Sequence, residues 1–132
     1  MAKKQNATPD TAAKTPLQVE FHPQRAKKEL EKVPERHRER FINSLYLLMN
    51  HLEPTCDVKH LGESLGHGTY ELIINGSPAW RVIYTTTVTG KIVVLHATEK
   101  TTNGSDRQIA TVVKERLKSL RQADAKAKKQ QK

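Results

Sequence analysis

Arg81 is the residue in this sequence best suited to chemistry. Because successive side chains of a strand point to opposite faces, Trp80, Val82 and Tyr84 would share one face, and Arg81 and Ile83 the other. If the face with Trp80 lies against a core, Arg81 points from the middle of a sheet into the opposite, open face. A guanidinium is always charged, and its planar set of donors fits a phosphate. We therefore predict that Arg81 binds an anion.

Glu71, on the preceding predicted strand, gives Arg81 a second interpretation. Its carboxylate could form a supporting ion pair with the guanidinium, which contributes ~0–1 kcal/mol if the pair is exposed. The ion pair and the anion site are compatible, and both can hold at once.

Other candidates lie near the ends of predicted strands. His96 could act as a general acid or base because imidazole titrates near neutral pH, although a histidine at a strand end is more often structural. Lys100, with Thr101 and Thr102, could hold a phosphate, or it could be a solvated loop charge. Lys59, in a glycine-containing loop, could line the edge of a groove.

Several familiar kinds of site are absent from the sequence. The six histidines do not form the paired spacings of zinc sites. There is no glycine-rich phosphate loop and no nucleophile elbow. We therefore predict no metal and no cofactor, so that any chemistry comes from a few basic and polar side chains.

Apolar spacing predicts the first elements that position these residues. Residues 17–21 alternate as a half-buried strand. Pro23 opens a helix, and Pro34 ends it and starts a second one, because proline suits the first helical turn but not a helix interior. The second helix carries a continuous apolar stripe made of Phe41, Ile42, Leu45, Leu48, Met49 and Leu52.

The second half of the chain is predicted to be mostly strands. Residues 55–68 contain three glycines and are predicted to form a loop. Three strands follow at 70–75, 80–87 and 91–98, separated by turns that suit antiparallel hairpins. The segment Ile92-Val93-Val94-Leu95 is apolar on both faces, as in a well-covered strand. A last helix spans about 107–120, with an inner stripe of Ile109, Val112, Val113, Arg116, Leu117 and Leu120.

The predicted element order is therefore β-α-α-β-β-β-α. This is an α+β fold with a small, mainly antiparallel sheet, and the helices can cover only one face of such a sheet well. We expect the other face to be open and to carry the functional site.

The length and charge of the chain limit its organisation. The 132 residues have room for one domain, which we place at 17–121. Residues 1–16 and 122–132 are lysine-rich and lack an apolar period, so both are expected to be disordered basic tails. The net charge of +9 favours an anionic partner, with nucleic acid the first candidate, although the lysines could merely keep the chain soluble.

The sequence also indicates the cellular compartment of the protein. Cys56 is the only cysteine, so an intrachain disulfide is impossible. The first residues lack the apolar stretch of a secretory signal, and the longest apolar run, residues 45–49, is too short to cross a bilayer. We therefore expect a cytoplasmic protein that does not associate with membranes.

Six short segments share their order and spacing with one known family. They are Val58-Lys59-His60-Leu61, Gly68-Thr69-Tyr70-Glu71-Leu72, Trp80-Arg81-Val82-Ile83-Tyr84, Ile92-Val93-Val94-Leu95-His96, Glu99-Lys100-Thr101-Thr102 and Gln108-Ile109. Through them, the chain resembles the RelE/HigB-like toxins of bacterial toxin–antitoxin systems, in particular the phage-derived HigB-like branch. The agreement spans residues 58–120, and the preceding helical hairpin fits the same fold.

The resemblance implies a compact, metal-independent endoribonuclease that enters the ribosomal A site, cleaves mRNA there and is silenced by a cognate antitoxin. It matches Arg81 with the family's arginine at the scissile phosphate and Lys100 with the first lysine of a pair after the final strand. His96 matches a histidine common in this branch, and Glu71 matches the glutamate of its Tyr-Glu-Leu segment.

The sequence departs from this branch in three ways. Ile73 stands where the branch usually has an arginine, and Thr101 where it has the second lysine. No aromatic residue follows Tyr84, so the C-terminal tyrosine of some relatives is absent. These departures keep two alternatives open, a ParE-like toxin that inhibits DNA gyrase without cleaving RNA and a non-toxic nucleic-acid-binding relative. The three candidate catalytic residues together favour the nuclease.

Overall fold

The computed structural model describes residues 15–76, 78–100 and 105–130. Strands and helices follow one another from an N-terminal strand to a long C-terminal helix. They are β1 (Gln18–Phe21), α1 (Arg25–Glu31), α2 (Glu35–Met49), β2 (Asp57–His60), α3 (Gly62–Leu65), β3 (Thr69–Ile74), β4 (Ala79–Thr85), β5 (Lys91–Lys100) and α4 (Ser105–Gln130).

The five strands form one sheet in the order β1-β5-β4-β3-β2. β1 runs parallel to β5, and the other three neighbouring pairs are antiparallel. The α+β class and the mainly antiparallel sheet predicted from the sequence are therefore confirmed.

A proline precedes each helix of the hairpin, as the sequence predicts. α1 follows Pro23, whose carbonyl accepts a hydrogen bond from the Ala26 amide at 2.9 Å. Pro34 directly precedes α2, where its fixed φ suits the start of a helix and its missing N–H leaves no helical hydrogen bond unmade. Each helix buries an apolar face, with Leu30 in α1 and Phe41 in α2.

The first core lies between this hairpin and one face of the sheet. On β4 it includes Val82 and Tyr84, and Trp80 packs against it. On β5 it includes Ile92 and Val94. These residues alternate along their strands, so the side chains between them point to the other face.

The second core lies on that other face, beneath α4. The helix contributes Ile109, Val113, Leu117 and Leu120, and the sheet contributes Ile83, Val93 and Leu95. The expectation that helices cover only one face is therefore wrong, because the hairpin covers one face and α4 packs on the other. The apolar run on both sides of β5 explains this arrangement, since burial of both sets of side chains removes apolar surface from water.

Two further elements differ from the sequence-based expectations. β2 and α3 lie within the predicted loop at 55–68, and all four residues of β2 are exposed, so no apolar alternation marks that strand. Backbone pairing with β3 holds it in the sheet. α4 continues to Gln130 through residues expected to be tail, because the alanine, lysine and glutamine found there are good helix formers.

The remaining expectations concern termini and membranes. Residues 1–14 and 131–132 lie outside the described residues, and the domain boundaries stay predictions. In the described part of the chain, no helix is long and apolar enough to cross a membrane. The cytoplasmic compartment also stays a prediction.

Candidate functional site

Arg81 lies on the face of β4 that looks toward α4. Its neighbours Val82 and Ile83 belong to the first and the second core respectively, so the side chains of β4 alternate between the two faces as the sequence predicts. In the sheet, Arg81 is opposite Ile73 of β3 and Thr98 of β5. The guanidinium is thus carried by a central strand, on a scaffold whose neighbouring positions are set by packing.

The Arg81 side chain offers hydrogen-bond donors that no described residue of the chain uses. Its Nε and Nη1 atoms are buried and have no hydrogen-bond partner within the described residues. A buried donor without a partner costs about 1–3 kcal/mol, and more when the group is charged. Such a cost is offset when an anion accepts hydrogen bonds from these nitrogens, and the oxygens of a phosphate match the planar arrangement of the donors.

His96 is held by a carboxylate from the helical hairpin. Its Nδ1 atom lies 2.8 Å from Oε1 of Glu29, and the side chains of His96 and Glu29 are only 12% and 19% exposed. Because a carboxylate only accepts hydrogen bonds, Nδ1 carries the proton in this contact, and Nε2 is the ring nitrogen left for proton transfer. His96 is opposite Ile83 on β4. Because Ile83 and Arg81 share a face of that strand, His96 and Arg81 lie on the same face and are diagonal neighbours in the sheet.

Arg116 of α4 completes this polar cluster. Its Nη1 and Nη2 atoms donate to Oε1 and Oε2 of Glu29 at 2.8 and 2.9 Å, a bidentate ion pair. Nη1 also donates to the Leu95 carbonyl at 2.7 Å and lies 3.2 Å from Nδ1 of His96. The cluster of Glu29, His96 and Arg116 therefore ties α1, β5 and α4 together at one point.

The edge of β5 explains why a partly buried charged cluster forms there. β1 pairs with β5 only as far as Val94, so the following backbone groups of β5 need other partners. The Leu95 carbonyl is satisfied by Arg116, and the Ala97 amide donates to Oε1 of Glu29 at 3.2 Å. The two side chains replace the strand pairing that β1 does not provide.

The electrostatics of the cluster favour an ionised carboxylate. Burial alone would raise the pKa of Glu29, but hydrogen bonds from His96 and Arg116 outweigh it and lower the pKa from 4.5 to about 2. Glu29 thus remains charged over the physiological range, where it can hold the imidazole and the guanidinium together.

The other predicted site residues are distributed around Arg81. Lys100 ends β5 opposite Ala79, and it has an interaction partner of its own. Lys59 of β2 is directly opposite Glu71 of β3 in the strand register. Both residues line one cavity on the α4 side of the sheet. Glu71 is buried and has an interaction of its own, so its ion pair with Arg81 stays a prediction.

Thr101 and Thr102, predicted to contact RNA, lie outside the described residues. Sequence reasoning also missed two members of the charged cluster, Glu29 and Arg116. Arg116 did leave a signal, because it is a charged residue within the apolar inner stripe of the last helix. Glu29 left none, since it stands among other charged residues on a short helix.

This strand order, with a helical hairpin after β1 and a C-terminal helix, defines a small RelE-like α+β fold. A family model described as "Phage derived protein Gp49-like (DUF891)" matches residues 28–118. The chain therefore belongs to the phage-derived Gp49-like family, which is part of the RelE-like group of toxins. No curated protein matches this chain.

Proposed function

We propose that the chain is the toxin of a type II toxin–antitoxin system, of the HigB-like branch, and that it cleaves mRNA on the ribosome. The observation that carries the proposal is Arg81, which shares a face of the sheet with His96 and has two buried nitrogens without a hydrogen-bond partner in the described part of the chain. Membership of a toxin-like family is compatible with this function and with a cognate antitoxin as partner.

The proposed reaction uses the RNA itself as the nucleophile. The ribose 2′-oxygen bonds to the adjacent phosphorus, its proton leaves to a base, and the bond from phosphorus to the 5′-oxygen breaks as that oxygen gains a proton. Arg81 stabilises the charge that accumulates on the phosphorane. His96 moves a proton through Nε2, with Nδ1 held by Glu29. Lys100 positions the RNA backbone, and no metal is required.

The proposed reaction requires the ribosome because the site on the protein is small. Lys59, Thr101 and Thr102 are the residues that we propose to contact the RNA beside the scissile bond. So few contacts hold a flexible strand poorly, and alignment of the 2′-oxygen with phosphorus contributes much of the rate in such reactions. An mRNA already fixed in a ribosomal site provides that alignment, so the purified protein alone should cut RNA poorly.

Growth arrest is the first expected outcome. Induction of the chain in a bacterium should stop growth, because mRNA cleavage halts translation, and co-expression of the neighbouring antitoxin gene should restore it. Colony counts after induction measure this effect. Arg81→Ala, expressed to the same soluble level, serves as the inactive control. Normal growth with abundant soluble wild-type protein would contradict the toxin assignment.

The position of new RNA ends is the second expected outcome. After induction, mapping of 5′ ends should show breaks within translated codons, and these breaks should disappear when initiation is blocked beforehand. A ParE-like gyrase inhibitor would instead leave mRNA intact and produce cleaved, gyrase-bound DNA with a DNA-damage response. That second pattern would replace the ribonuclease proposal with gyrase inhibition.

A further inference from the structure

A cavity of about 370 Å³ opens beside the proposed catalytic face, between the corner that joins β2 to α3 and the first turns of α4. Its aliphatic wall is formed by Leu61, Leu65 and Ile109. Lys59 and Arg107 line it as well, and both residues are exposed. A volume of this size lies at the lower end of the range for small-ligand sites, and the lining combines an apolar wall with charged groups.

The two cations of this cavity are available to a ligand. Within the described residues, neither Lys59 nor Arg107 forms an ion pair or a side-chain hydrogen bond. The third charged residue of the cavity, Glu71, is only 7% exposed and has an interaction of its own. Positive charge therefore lies toward solvent, and a buried acceptor lies deeper in the cavity.

The cavity is next to Arg81 in the sheet. Glu71 is opposite Ile83, whose neighbour on the same face of β4 is Arg81, so Glu71 and Arg81 are diagonal neighbours. Diagonal positions of an antiparallel pair are separated by roughly 7–8 Å. Successive phosphates of an extended RNA strand are separated by a similar distance, so one strand can contact both places.

We propose that this cavity binds the nucleotide next to the scissile one. Lys59 and Arg107 bind its phosphate at the exposed end, and the base lies against Leu61, Leu65 and Ile109. The buried Glu71 carboxylate accepts a hydrogen bond from the amino group of the base. The proposal rests on the proposed ribonuclease function for the identity of the ligand, and it makes Arg107 an RNA-binding residue that the sequence did not indicate.

Salt-dependent RNA binding by the full chain tests this site. The dissociation constant of a short, fluorescein-labelled oligoadenylate is measured by fluorescence anisotropy over a range of salt concentrations. Arg107→Ala and Lys59→Ala should each weaken binding roughly fivefold at low salt. Each should also reduce the slope of log Kd against log salt by about 0.7, the value for one lost phosphate contact with a single strand. Lys114→Ala and Lys118→Ala, exposed on the same helix but outside the cavity, should change neither quantity.

A second variant separates the cavity from general positive charge. Ala110 also lines the cavity, and Ala110→Leu fills it without changing any charge or weakening the helix. Its affinity for the oligoadenylate should fall by a similar factor, with an unchanged urea unfolding midpoint. Unchanged affinity in this variant would overturn the proposal, as would equal losses in Arg107→Ala and Lys114→Ala.

The binding assay is independent of cleavage, so the two proposals can fail separately. If the expected binding pattern is found but the wild-type chain does not arrest growth, the nucleotide site stands and the ribonuclease function is wrong. If the wild-type chain arrests growth and cleaves mRNA but Arg107→Ala binds RNA as the wild type does, the nucleotide site is wrong and the ribonuclease function stands.

Discussion

Arg81→Ala should lower ribosome-dependent mRNA cleavage by about 10²–10³-fold while the protein stays folded. This is the usual scale for the loss of one donor that stabilises charge in a transition state. The buried Nε and Nη1 atoms make no hydrogen bond with the described residues, so their removal breaks no hydrogen bond between these two atoms and that part of the chain. The free energy of unfolding should therefore not fall by more than about 1 kcal/mol.

Two other variants make this expectation specific. Arg81→Lys keeps the charge but not the planar set of donors, so it should restore only part of the cleavage rate. Arg36→Ala removes one exposed arginine from α2 and should cleave as the wild type does, which controls for net charge. Cleavage is measured by primer extension on an mRNA in purified translation complexes. Full cleavage by a folded Arg81→Ala protein would remove Arg81 from the site.

The sequence predicts the structure correctly where the periodic spacing of apolar side chains corresponds to a buried face. The segment from Trp80 to Tyr84 alternates, and the structure places Val82 and Ile83 in different cores as that alternation requires. Pro23 and Pro34 marked the hairpin because proline acts locally, through its own φ and its missing N–H. Local rules of this kind can be read without knowing the rest of the fold.

The parts that could not be predicted depend on distant partners. β2 is a strand only because β3 pairs with it, and none of its residues is buried. The expected arrangement leaves the second face of the sheet without a helix, although Val93 and Leu95 of β5 indicate that this face is also buried. Glu29 and Arg116 are far apart in sequence. Their side chains meet beside β5, at backbone groups that β1 leaves unpaired because it ends at Phe21.

The cluster of Glu29, His96 and Arg116 should give the largest effect on stability. Glu29→Ala removes a bidentate partner of Arg116, the acceptor of His96 Nδ1 and the acceptor of the Ala97 amide. Breaking a fully buried ion pair by removing one partner costs about 3–5 kcal/mol, because the other charge stays buried without compensation, and this partly buried pair should approach the lower end of that range. Urea unfolding at neutral pH measures this loss. Glu31→Ala, an exposed glutamate on the same helix, should change stability by less than about 0.5 kcal/mol.

A double-mutant cycle separates the ion pair from simple packing. Arg116→Ala removes the bidentate cation from Glu29 and the hydrogen-bond donor from the Leu95 carbonyl, so it should also be destabilising. The double variant should lose less stability than the sum of the two single losses, because no uncompensated charge remains. Strict additivity of the two losses would contradict the ion pair as the source of the effect.

The acid limb of the stability curve should depend on the same carboxylate. The pKa of Glu29 is lowered in the folded protein from 4.5 to about 2. A group with a lowered folded pKa binds more protons in the unfolded chain, so its contribution is complete above pH 4.5 and is lost as the pH falls through about 2. A shift of this size corresponds to about 3 kcal/mol. Glu29→Gln has no proton to take up, so its free energy of unfolding should fall by about 3 kcal/mol less than that of the wild type between pH 5 and pH 2. Parallel acid curves for the two proteins would show that Glu29 is not the ionised centre of this cluster.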